Sequence, residues 1–132
     1  MDQKEEEKLV MAMFRKSYSE FPKGRLIPSE SPDFILKTGR HQSIGIELTR
    51  ISDLSAELHA EIRMAIIRKI EKHLLYQTKV FNEIWLLIYA DDLQGLISKD
   101  GTIEVDIDER NPFQKTFILD LFSGRHYQVT VI

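Results

Sequence analysis

Residues 84 to 90, Ile84-Trp85-Leu86-Leu87-Ile88-Tyr89-Ala90, make an unbroken apolar run between Asn82 and the pair Asp91-Asp92. Such a run reads as a strand buried on both faces, central in its sheet and parallel to a neighbour. The expected fold class is therefore α/β: a mixed central β-sheet flanked by helices. With 132 residues, 42% of them hydrophobic, the chain fits one domain over 1–132 with a real core.

The rest of the chain supplies the flanking elements. Asp2, with Glu5 three residues on, reads as the N-cap of a helix whose apolar stripe is Leu9, Val10, Met13, Phe14, Tyr18 and Phe21, ending at Pro22. Three prolines between 22 and 32 mark a loop that holds a short strand at Arg25-Leu26-Ile27. Ser52 or Asp53 caps a long helix, in which Leu54, Leu58, Ile62, Ile66, Ile70 and Leu74 recur every four positions. After the Lys99-Asp100-Gly101 turn, Ile103, Val105 and Ile107 alternate with polar residues, as in a half-buried strand whose acidic outer row deters edge pairing. Residues 116–122 and 126–132 flank Ser123-Gly124-Arg125 and read as a closing strand pair.

Between the proline-rich loop and the long helix lies the segment with the most chemistry. Phe34 and Leu36 on one run, and Ile44, Ile46 and Leu48 on the next, share a face, with turn residues between them. Centring the turn on Arg40 sets Asp33 opposite Glu47, Ile35 opposite Gly45 and Lys37 opposite Ser43 on the other face. Like charges so placed repel unless a positive group sits between them, and a divalent metal answers that need. Gly45 beside the pair either leaves room for an ion or phosphate or marks close packing.

Other chemistry is scarce. Without cysteine there is no disulfide, thiolate metal site or cysteine nucleophile, as in a reducing, cytoplasmic setting. No segment approaches the length of a membrane span, so no membrane partner is expected, and the acidic first residues are unlike a signal peptide. The net charge of −3 excludes a coat of bulk positive charge but not a local basic patch. His41, His59, His73 and His126 lack close metal-ligand spacing, and no glycine-rich phosphate loop or nucleophile elbow is present.

The order helix, short strand, hairpin carrying Pro32-Asp33 and then Glu47-Leu48-Thr49, long helix and buried strand resembles the PD-(D/E)xK nuclease-like superfamily. The likeness covers roughly residues 1 to 90. It implies a restriction-endonuclease-like αβββαβ core with extra C-terminal strands, and a divalent-metal-dependent nuclease acting on DNA or RNA. Asp33 and Glu47 would hold Mg2+ or Mn2+ and make the catalytic pair. Glu20, at the end of the first helix, matches an acid that joins the metal shell in that family. Family analogy also makes a homodimer plausible.

The departure is Thr49, where the motif has lysine. A threonine hydroxyl positions water but supplies no cation to the transition state. The charge has to come from elsewhere, or the chain is a catalytically inactive member that serves as a binding or protein-interaction module. Lys37 shares the face of the acids but lies four residues along the strand, about 13 Å away, and Arg50 points to the opposite face. Lysines of the long helix are further sources that no spacing singles out. Lys37 and Arg40, in a rim with Lys23, Arg25 and His41, are the candidate substrate contacts through phosphate.

Overall fold

The computed structural model describes residues 1–52, 57–75, 81–98 and 101–132. In chain order the elements are α1 (Gln3–Ser17), β1 (Arg25–Pro28), β2 (Phe34–Gly39), β3 (Gln42–Arg50), α2 (Leu58–Leu75), β4 (Glu83–Ala90), β5 (Ile103–Val105), β6 (Lys115–Asp120) and β7 (His126–Val131). The protein is α/β, with two helices, a seven-stranded mixed sheet and the αβββαβ order at its N-terminal side. Among the described residues no helix is long and apolar enough to cross a membrane.

The sheet runs β1-β2-β3-β4-β6-β7-β5, so the apolar run of β4 occupies its middle. β4 is parallel to both neighbours, β3 and β6, and antiparallel pairs close the β1/β2/β3 side and the β6/β7 hairpin. Alternate residues of β4 feed two cores. Leu86, Ile88 and Ala90 pack with Ile62, Ile66 and Ile70 of α2, while Trp85, Leu87 and Tyr89 pack with Val10, Met11 and Phe14 of α1. One helix on each face is why β4 needs no polar side, and why its sequence does not alternate.

α1 begins as the sequence implies: the Asp2 carboxylate accepts from the Glu5 amide at 2.8 Å. It ends earlier than Pro22. Tyr18 is already extended, and Tyr18 and Phe21 pack from the following loop against Phe14 and Trp85. The buried stripe also differs, because Leu9 is 49% exposed whereas Met11 and the acid Glu7 are buried. On a 3.6-residue turn, 7, 10, 11 and 14 lie on one face and 9 lies off it.

The every-four pattern of α2 holds at Leu58, Ile62, Ile66 and Ile70, all buried. Asp53, Leu54 and the side chain of Leu74 lie outside the described residues, as do Lys99 and Asp100 of the expected turn. The acidic strand is only three residues long and sits at the sheet's edge beside β7, the place where charged outward residues discourage further pairing.

Candidate functional site

The first hairpin has the register expected from its alternation. Phe34 pairs with Ile46, Ile35 with Gly45, Leu36 with Ile44 and Lys37 with Ser43, with a slip only next to the turn. Asp33 stands one residue ahead of β2, across from Glu47. Its Oδ2 accepts the Leu48 amide at 2.8 Å. β2 starts only at Phe34, so the Asp33 carboxylate replaces the main-chain acceptor that β3 would otherwise lack there. The acid is thereby fixed in the plane of the sheet, at its margin.

Glu47 points to the α2 side. Its Oε2 lies 3.4 Å from Lys69 Nζ, with side-chain exposures of only 12% and 15%. Burial raises the Glu47 pKa and the Asp33 charge raises it further, while Lys69 and Lys72 pull it back. Lys69 is thus a cation from α2 set on the carboxylate whose own motif carries Thr49. No spacing within one strand reveals it, because its position depends on how α2 lies across β3.

A third carboxylate comes from α1. Glu7 is 4% exposed, and burial followed by the Asp33 charge raises its pKa, with Lys4 opposing at 3.4 Å. The Lys4 ammonium also donates to the Ser29 carbonyl, which ties the start of α1 to the segment leading into Asp33. Glu7 escaped the sequence reading although a signal existed: it sits one turn before Val10 and Met11, on the buried face of α1. The helix acid expected at the metal shell, Glu20, is exposed in the turn beyond α1. Ten residues of helix, about 15 Å, separate Glu7 from Ser17, where α1 ends. Glu7, rather than Glu20, is the acid that α1 sets near Asp33, whose charge raises the Glu7 pKa.

Thr49 follows Glu47 on the same face of β3. With Glu6, Glu7, Leu48, Arg50, Lys69 and Tyr89 it borders a cleft of about 470 Å³ at the C-terminal ends of β3 and β4. Ligands of open α/β sheets bind outside such strand ends. Arg50 turns to the opposite face, as alternation requires. It bonds Glu6 at 2.5 Å and also pairs with Asp91, while the Tyr89 hydroxyl donates to Glu6 at 3.0 Å. The wall of the cleft is a closed ionic network, and the Tyr89 phenol is held well above its usual range by burial and by Glu6.

The structure decides between the two readings of Gly45 and places the basic rim. Gly45 leaves no room for an ion: a Cβ there would stand 3.0 Å from Pro32 Cγ and 3.3 Å from the Phe81 ring, so close packing is its reason. Lys37 and Arg40 are exposed at the turn end of the hairpin, away from the acids. They are not brought into the Glu7, Asp33 and Glu47 group.

Among the described residues no three acidic or histidine side chains already stand at metal-holding spacing. Glu7 and Glu47 each face a lysine instead. The donors are oxygens only, the class a hard divalent cation takes, and the pKa values of Glu7 and Glu47 are raised first by burial and then by the Asp33 charge. No family model, curated protein or solved structure matches the chain.

Proposed function

We propose that the protein is a divalent-metal-dependent phosphodiester hydrolase acting on nucleic acid, with a restriction-endonuclease-like core of the PD-(D/E)xK kind. The observation that carries this reading is Lys69. It brings an ammonium from α2 to Glu47, on the face of Thr49, where the strand's own sequence lacks one.

In this reading Glu7, Asp33 and Glu47 would hold Mg2+ or Mn2+, and the ion, when bound, would supply charge neutralisation at the phosphoryl oxygens and a more acidic water. Asp33 keeps Oδ2 on the Leu48 amide and offers its other oxygen, so the ligand is oriented before the ion arrives. The Lys69 ammonium would stabilise the negative charge that grows on the phosphate. The Thr49 hydroxyl would orient the water whose oxygen bonds to phosphorus as the bond to the leaving ester oxygen breaks, the water losing its proton to solvent and the leaving oxygen taking one up. Burial of Glu7, Glu47 and Lys69 strengthens each of these interactions relative to the surface.

Thr49 and the net charge of −3 favour a second reading, a non-cleaving binding module of the same architecture. Lys69 argues against it. Cleavage of labelled DNA and RNA in Mg2+ and Mn2+ tests the choice. Lys69→Met is expected to slow cleavage about 10²- to 10³-fold, the size of a lost transition-state charge partner. Adding Thr49→Lys to that variant restores part of the rate, because lysine then returns to the motif position. Wild type that binds metal and nucleic acid but never cleaves leaves the module as the answer.

A further inference from the structure

The acids outnumber the bases in this chain 21 to 18, yet residues 21–29 and 34–46 contain no acid at all. They contain Lys23, Arg25, Lys37 and Arg40, gathered at one end of the β1-β2-β3 hairpin system. Arg25 lies directly opposite Lys37 across the antiparallel β1/β2 pair. Their neighbours Leu26 and Leu36 pack on the α1 side, so alternation puts both cations on the other face, the face of Glu47. Both are exposed. Directly opposed side chains stand about 5 Å apart at Cβ, and like charges there cost stability. Among the described residues neither cation has an acidic partner to relieve it.

We propose that Arg25 and Lys37 form a phosphate clamp that holds the backbone of a nucleic-acid strand and leads it along β2 toward Asp33. The identity of the strand as substrate rests on the function proposed above. Its geometry is set by β2: Lys37 and Ile35 follow one another on one face and Asp33 stands at the sheet margin just ahead of the strand, four residues from Lys37, so the clamp lies about 13 Å from the acid. At 3.4 Å of duplex axis per nucleotide of one strand, that is about four nucleotides from the phosphate at the acids. The repulsion built into the pair is relieved when a phosphate bridges it. Ile27 and Ile35, half-buried between clamp and acid, offer an uncharged floor to the intervening sugars.

The test is fluorescence anisotropy of labelled single-stranded DNA, duplex DNA and RNA across a salt series in EDTA, where metal chemistry plays no part. For the strand type bound best, the double variant Arg25→Ser/Lys37→Ser is expected to weaken binding at least tenfold at 50 mM salt. It should also shallow the slope of log K against log salt by roughly 0.7 to 0.9 for each lost contact. The same variant should melt at or above the wild-type temperature, since removing either charge removes repulsion. That pattern separates a clamp from a structural role, which would lower the melting temperature. A control variant, Arg68→Ser on α2, should leave the slope as it is. An unchanged slope in the double variant overturns the proposal, and so does a wild type that binds an aspartate-rich peptide but no nucleic acid. If binding follows this pattern and metal-dependent cleavage is absent, the clamp stands and the hydrolase reading falls.

Discussion

At the residue scale the decisive groups are three carboxylates and one ammonium. Glu7 and Glu47 both have raised pKa values in the folded protein, first through burial and then through Asp33. A carboxyl with a raised native pKa binds its proton more tightly folded than unfolded. Between the ordinary value of 4.5 and the raised one the native chain carries more protons, so stability falls as pH rises through that window. Above it the penalty is fully present. Glu7→Gln is therefore expected to melt higher than wild type at pH 8, with the advantage shrinking toward pH 5, as followed by thermal melts at both. A saturating divalent cation should stabilise wild type at pH 8 and release protons on binding, and should do neither in Glu7→Gln to the same degree. A Glu7→Gln variant less stable than wild type at pH 8 would show that its pairing with Lys4 outweighs the repulsion. Of these groups, Asp33 and Glu47 were legible in the sequence, because a strand's period of two assigns faces. Glu7 was legible in principle as an acid on a buried helical face. Lys69 was not, since nothing local ties a helix lysine to one strand position.

At the scale of elements, the β2/β3 hairpin carries the site, and its register follows from alternation alone: Phe34, Leu36, Ile44, Ile46 and Leu48 all bury toward α1. A slip of one residue would expose that set and turn Glu47 away from α2. Gly45 secures the opposite face by letting Pro32 and Phe81 close over β3. Gly45→Val is expected to cost about 1 to 3 kcal/mol in urea unfolding, as overpacked positions do, and to impair metal binding through displacement of the segment that bears Asp33. Unchanged stability would mean that Pro32 and Phe81 yield freely. The early end of α1 was hidden from pattern reasoning for a related cause. Tyr18 and Phe21 are as apolar as helix residues, but they fill the core from a loop, against Phe14, Phe117 and Trp85.

At the scale of the whole molecule, a single strand couples two cores. β4 sends Trp85, Leu87 and Tyr89 to the α1 side and Leu86, Ile88 and Ala90 to the α2 side, and the site lies where α1, β3 and α2 come together. α1 contributes Glu7, the hairpin Asp33 and Glu47, and α2 Lys69, so no one element holds the proposed site. Loosening α1 should therefore damage the site, to which α1 brings Glu7 as well as Glu6 of the cleft wall. Phe14→Ala, at a fully buried position, is expected to cost about 3 to 5 kcal/mol in denaturant unfolding and to weaken metal binding under native conditions. Full metal affinity in a folded Phe14→Ala protein would argue that Glu7 is dispensable. The central claim, that Asp33 is the shared acid of a divalent-metal centre, is tested most directly by calorimetric titration of Mn2+ into wild type and Asp33→Asn at pH 7.5. Asparagine can keep the bond to the Leu48 amide, so the variant should fold as wild type does. Wild type is expected to bind saturably with proton release and Asp33→Asn to bind at least tenfold more weakly, whereas equal affinity in the two proteins would contradict the account.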